Sequence, residues 1–179
     1  MVKLHLGCGT KHIPGYINID CQQYDSVDVV MDIMDIDNMY IENSVDAIYI
    51  CHVLEHFEIK TAKILLKKMF KILKKDGILR LSVPDFEAIS NLYQKTHNLK
   101  ELLGLLYSNH DIPYDGHYTI WDFDQLSNQL INEIGFAEIN RYDWRETEHA
   151  EMDDFSQAYL PHMDKENGTL MSLNVEAKK

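Results

Sequence analysis

"LHLGCGTKHIPGYINID", residues 4–20, decides how this chain is read. A short apolar run ends in Gly7 and Gly9, as a strand does when it turns to cradle a ligand, yet Pro14 and Gly15 follow too soon for that turn to open an ordinary helix. The dinucleotide fingerprint G-x-G-x-x-G needs a third glycine where His12 stands and an acid about 20 residues further on, whereas Asp20 comes eleven residues after Gly9. A phosphate-binding G-x-x-x-x-G-K-[ST] loop is absent, and no helix N-terminus is at hand to favour phosphate. The turn lacks a phosphate grip, which disfavours an NAD-dependent oxidoreductase.

Working outward, β-branched enrichment predicts strands over 2–6, 16–20, 27–33 and 46–51. Between 59 and 73 the apolar residues Ala62, Leu65, Leu66, Met69, Ile72 and Leu73 fall at helical spacing, while six lysines from Lys60 to Lys74 take the other face as a solvated surface. Lys75, Asp76 and Gly77 should stop that helix, and 78–83 should follow as a strand ended by Pro84. Such a strand–helix–strand crossover implies a sheet that is at least partly parallel. A helix is expected over 86–96 and another over 122–134, ending at Gly135, with strands over 136–142 and 169–177 pairing antiparallel at the sheet edge. The segments 98–116 and 144–168 look irregular and are candidate lid or acceptor-recognition segments.

With 179 residues, 45% of them hydrophobic, and no linker or repeat, the chain reads as one domain spanning 1–179. No stretch approaches the roughly 20 apolar residues of a membrane span, and no basic segment precedes an apolar leader, so a cytoplasmic location is expected. Three cysteines without a CxxC pair point to reduced thiols rather than disulfides or a cysteine zinc site. A net charge of −12 opposes nucleic acid and anionic lipid as partners.

The glycine turn, followed in order by "VDVVMDI", "DAIYICHVLEHF", "LKKDGILRLSVPDF", "DFDQLSNQLINEIGF" and "SLNVEAKK", resembles class I S-adenosylmethionine-dependent methyltransferases. It is most similar to the compact type 11 group that occurs with bacterial surface-polysaccharide genes. The resemblance implies an α/β, Rossmann-like fold with a mostly parallel central sheet, an antiparallel edge strand and a shortened first crossover, and S-adenosylmethionine as cofactor. That cofactor has no phosphate and needs close backbone approach, which Gly7 and Gly9 permit. Cys8 lies between them. By family pattern, Asp20 holds the ribose hydroxyls, Asp32 sits near the adenine, and His52, Val53 and Leu54 line the pocket. Two positions depart from the pattern: His5 replaces the usual acid before the first glycine, and Lys11 replaces the third glycine.

Methyl transfer from a sulfonium is an in-line displacement, and a base is needed when the nucleophile is a protonated hydroxyl. His117, in "YDGHYTIWD", is the first candidate base and His52 the second; a structural histidine is the competing reading of His117. Glu55 and His56 either start the following turn or line the pocket. His149, Asp153, Asp154, His162 and Asp164 are spaced too irregularly for a metal site, so no metal is expected, and their segment reads as acceptor recognition, with Trp144 and Tyr159 available to stack on a sugar face. The [DN]PP[YF] signature of amide- and nucleobase-nitrogen methyltransferases is missing. The leading expectation is O-methylation of a small molecule or saccharide precursor; the alternative is a noncatalytic S-adenosylmethionine-binding or partner-binding module.

Overall fold

Runs of leucine, isoleucine and valine build the parallel half of a seven-stranded sheet: β1 (Lys3–Leu6), β2 (Ile17–Asp20), β3 (Val29–Val30), β4 (Val45–Cys51) and β5 (Leu73–Pro84). The computed structural model describes residues 1–108 and 115–179. Strand order is β3-β2-β1-β4-β5-β9-β6, where β6 is Glu138–Arg141 and β9 is Ser172–Lys178. β9 runs antiparallel to both neighbours, so the antiparallel strand stands one place in from the edge and β6 closes the sheet. Leu4, Leu6, Ile48, Ile50, Leu79 and Leu81 are buried because helices cover the sheet, which is why these strands read as near-continuous apolar runs.

The lysine-faced helix forms where the periodicity predicts it, as α2 (Ile59–Ile72), after a short α1 (Ile36–Met39). Ala62, Leu65, Leu66, Met69 and Ile72 face the core with essentially no exposure, each large side chain contributing roughly 1.5–3 kcal/mol. The lysine face is solvated and locally paired: Lys68 and Lys71 with Asp37, Lys74 with Asp46, and Lys63 with Glu133. The α2 terminus differs from expectation. The chain becomes extended at Leu73, which already pairs with Val45, and the register shifts before Ala47 meets Ile78. Lys75–Gly77 is therefore an irregularity within β5, where Asp76 takes a positive φ of 62° and pairs with Lys178.

α3 (Phe86–Thr96) starts at Asp85, whose carboxylate accepts the Glu87 and Ala88 amides and thereby satisfies two donors that the helix cannot. The segment expected to be irregular instead holds a second helix, α4 (Leu99–Tyr107), packed on α3 through Leu102. Its short length and Gly104 hid it. The part of the proposed lid at 109–114 lies outside the described residues. α5 (Phe123–Asn128) is capped by Asp122 and widens into a π-helical turn, Gln129–Ile134, that ends at Gly135 with φ 109°. The crossover from β1 to β2 contains turns and no helix, as the early Pro14 and Gly15 require. The 144–168 segment contains single 3₁₀ turns and β7 (Tyr159–Leu160), which pairs antiparallel with β8 (Thr169–Leu170) just beyond it.

Candidate active site

The order β2-β1-β4 reverses the direction of strand succession between β1 and β4, and a ligand crevice in such a sheet opens at the carboxyl ends of those strands. A cavity of about 500 Å³ lies there, lined from the β1 side by His5, Gly7, Cys8, Gly9, Thr10 and Lys11, and from the β4 side by Cys51 and His52. Its far wall comes from Leu105 of α4, from Asp153–Phe155 and from Tyr159–Met163 around β7. The volume sits within the range of small-molecule sites.

Gly7 and Gly9 both hold positive φ, 67° and 52°. They do different work. A Cβ on Gly7 would collide with the Val53 side chain, so Val53 fills the space behind the turn. A Cβ on Gly9 would meet nothing within 4 Å, which leaves open room against the backbone. Asp20, at the end of β2, ties the turn: its Oδ2 accepts Gly9 N–H at 2.8 Å and its Oδ1 accepts Gln22 N–H at 2.9 Å. Asp32 accepts Met34 N–H and caps a 3₁₀ turn, Ile33–Asp35. Neither Asp20 nor Asp32 borders the 500 Å³ cavity. Leu54 points into the hydrophobic core and is not a pocket residue, because the 3₁₀ turn Leu54–His56 rotates it under the sheet.

His5 is buried and donates Nδ1–H to Asn18 Oδ1 at 3.0 Å. The roles are set by Asn18, whose amide nitrogen contacts Ile13 O, Tyr16 O and Asp28 Oδ2, all acceptors, so the oxygen is the atom facing His5. Desolvation holds the imidazole pKa down at about 4, leaving it neutral with Nε2 as acceptor. Burial also pushes the Cys8 thiol up to about 12 and that of Cys51 well above its usual value, so both are inert thiols.

His52 takes a positive φ of 50° at the end of β4 and sits 3.1 Å from Ser172 Oγ and 3.2 Å from Glu55 Oε1. Desolvation lowers its pKa to about 3, with repulsion from His117 and His56 adding to the effect. Glu55 is fully buried and burial raises its carboxyl to about 8. His117 stands one layer behind the cavity wall: its Nδ1 donates to the carbonyl of Leu105 at 3.0 Å, and its ring centroid is 4.9 Å from that of His56. Of the two candidate bases, only His52 is on the wall.

The late segment supplies the outer wall. Asp154 accepts from Tyr49 Oη at 2.7 Å and from Ser156 N–H and Oγ, while Asp153 and His162 face the cavity. His149 is packed 4.2 Å from the Tyr49 ring in the interior. Tyr159 lines the cavity, whereas Trp144 is not among its lining residues and has Arg145 and Lys165 within 4.4 and 5.1 Å of its ring centroid. Leu105, Phe155, Met163 and Met171 had no signal in the sequence, since they come from separate elements that only the fold brings together.

Residues 4–81 match the family described as a methyltransferase domain. No curated protein sequence matches significantly. Among solved structures, the chain is similar over 99% of its length to an S-adenosylmethionine-dependent methyltransferase from Archaeoglobus fulgidus, with TM-score 0.60, 14% identity and 85% of that chain covered. It is similar to a possible histamine N-methyltransferase from Thermotoga maritima, with TM-score 0.59, 14% identity and 99% and 82% of the two chains covered. A third likeness is to the 1,6-didemethyltoxoflavin-N1-methyltransferase of Burkholderia thailandensis, solved with its substrate and S-adenosylhomocysteine, with TM-score 0.60, 16% identity and coverage of 99% and 70%. At these identities the structures establish the fold.

The residues present fit that cofactor. Gly9 leaves the backbone open, and Asp20, beside it at the end of β2, is an acceptor-only carboxylate of the kind that hydroxyl donors need. Residues 4–81 match the methyltransferase-domain family and the whole chain shares the fold of solved S-adenosylmethionine-dependent methyltransferases, a match and a fold whose cofactor is S-adenosylmethionine.

Proposed function

We propose that the chain O-methylates a small molecule or saccharide precursor, of the kind used in building surface polysaccharide. The observation that carries the reading is the single cavity wall shared by the glycine turn, His52 and the polar, aromatic 153–163 segment. Bound S-adenosylmethionine supplies an electrophilic methyl group on a sulfonium. In this reading Asp20 holds the ribose hydroxyls, Asp32 lies toward the adenine, and the open face of Gly9 receives the methionine portion. Lys11 pairs with its carboxylate, and the neutral His5 accepts from its ammonium. Asp153, Tyr159 and His162 receive the acceptor, for which hydroxyl-rich molecules suit this mix of carboxylate, phenol and imidazole.

The acceptor's proton is taken on the histidine side of the cavity. His52 is a weak base at neutral pH because burial depresses it, so the role falls to His117, reached past Leu105. Positioning supplies much of the remaining acceleration. The test combines calorimetric titration with S-adenosylhomocysteine and labelled methyl transfer to a panel of sugar nucleotides, free glycosides and small amines. Transfer to a sugar hydroxyl is expected; transfer only to amines would replace the O-methylation reading, and binding without transfer to any acceptor would favour a noncatalytic module. His117→Ala should lower single-turnover transfer by roughly 10²-fold while leaving cofactor affinity nearly unchanged.

A further inference from the structure

Behind the cavity wall, three ligand-type side chains converge from two distant parts of the chain. Glu55 and His56 come from the 3₁₀ turn after β4, and His117 comes from the loop before α5; one ligand atom from each lies within 4.8 Å of the others. The convergence is held by the backbone. Tyr118 and Thr119 N–H both donate to Glu55 O, at 2.8 and 3.2 Å, and His117 N–H donates to Tyr107 O. The loop is thus tied to the turn and to α4.

The tautomers are set for coordination. His56 Nδ1 donates to Gly116 O at 3.2 Å and His117 Nδ1 to Leu105 O at 3.0 Å. A neutral imidazole that donates through Nδ1 carries its lone pair on Nε2, and anchoring of the distal N–H by a carbonyl is how metal-binding histidines are oriented. Glu55 provides an independent sign. Its side chain has no exposure, and among the described residues neither carboxylate oxygen has a hydrogen-bond partner. His52 Nδ1 comes within 3.2 Å without hydrogen-bonding geometry. An unpartnered buried carboxylate is costly, and a cation beside it removes the cost.

We propose that Glu55, His56 and His117 form a binding site for one divalent transition-metal ion directly behind the wall of the cavity. Two imidazoles and one carboxylate suit zinc, manganese or ferrous iron, and three protein ligands leave coordination positions open for an acceptor oxygen. Metal–ligand bonds of about 2.0–2.2 Å place neighbouring ligand atoms roughly 3.3 Å apart, so loading the site draws the three side chains inward. The site adjoins the cavity through two residues of its wall: His52, beside Glu55, and Leu105, whose carbonyl holds His117.

The catalytic sense of the site rests on the methyltransferase reading; with the ion bound His117 is a ligand, and the base role given to it above belongs to the metal-free chain. A coordinated acceptor hydroxyl, its pKa lowered, releases its proton to bulk water. Its oxygen then bonds to the methyl carbon while the carbon–sulfur bond breaks and leaves its electron pair on sulfur.

The test is titration of the chelator-treated full chain with Co²⁺, followed by visible absorption, with S-adenosylhomocysteine calorimetry on the same sample. One equivalent should bind with ligand-field bands and no thiolate charge-transfer band, and His56→Ala and His117→Ala should each weaken binding at least tenfold. Glu55→Gln, which keeps the buried volume, should do the same in a chain whose circular dichroism is unchanged. Absence of stoichiometric binding to the folded chain, equal binding by the variants, or a thiolate band from Cys51 would overturn the proposal. Cofactor binding without cobalt binding would sink the metal site alone; cobalt binding without cofactor binding would sink the methyltransferase reading and leave the site.

Discussion

Asp20 ties the glycine turn by accepting Gly9 N–H and Gln22 N–H, and in the proposed function the same carboxylate holds the ribose hydroxyls. Asp20→Ala should therefore weaken S-adenosylhomocysteine binding by about 1.5–3 kcal/mol, the range for hydrogen bonds with a charged partner. Calorimetry on the folded variant checks it, and unchanged affinity would remove Asp20 from the site. His5 makes a prediction about pH. It is a base whose folded pKa, about 4, lies below its ordinary 6.5, so the unfolded chain takes the proton first. Its stabilisation is complete above about 6.5 and is lost as pH falls toward 4. By pH 5 the loss is about 2 kcal/mol. His52 and His149 act in the same sense, while Glu55, raised to about 8, acts in the opposite one. The measurement is thus a difference: urea unfolding at pH 7 and pH 5 for the wild type and His5→Gln, with the variant losing less stability on acidification.

At the scale of elements, the glycine turn separates folding from binding. Gly7→Ala places a methyl group into Val53 at a φ of 67°, and should destabilise the chain by at least the ~1–3 kcal/mol of left-handed strain in a non-glycine residue. Gly9→Ala meets no atom within 4 Å and carries the strain alone. Thermal unfolding should rank Gly7→Ala as the less stable, whereas cofactor titration should find Gly9→Ala impaired even where it remains folded. Equal stability of the two would mean that Val53 yields easily.

For the whole molecule, the cavity is assembled from β1, β4, α4 and the 153–163 segment, so a ligand held there joins elements far apart in sequence. S-adenosylhomocysteine at about 100 times its dissociation constant should stabilise the native state by roughly 2.7 kcal/mol. Differential scanning fluorimetry should register a rise in melting temperature with it and none with NAD, as the absent third glycine at His12 requires. A comparable rise with NAD would overturn the cofactor assignment. Among the described residues no helix is long and apolar enough to cross a membrane.

The sequence by itself determined β1, β2 and β4 and the amphipathic helix of the parallel half, because a buried face imposes a period that burial alone explains; α3 keeps its expected bounds, whereas the strand expected over 27–33 is reduced to Val29–Val30 and α2 ends at Ile72, before the expected stop at Lys75–Gly77. It also determined the turn at Gly7–Gly9 and the helix-free crossover, since Pro14 and Gly15 restrict the backbone locally. Tertiary structure decided what no local pattern encodes. α4 is helical through packing on α3, and β9 slots between β5 and β6 by pairing at long range. Leu54 turns inward and Asp32 caps a turn because their neighbours direct them. His117 reaches Glu55 and His56, some sixty residues away, only because backbone hydrogen bonds from Tyr118 and Thr119 fold its loop onto their turn. Periodicity reports on one element at a time, whereas a site is a meeting of elements, and that meeting exists only once the chain has packed.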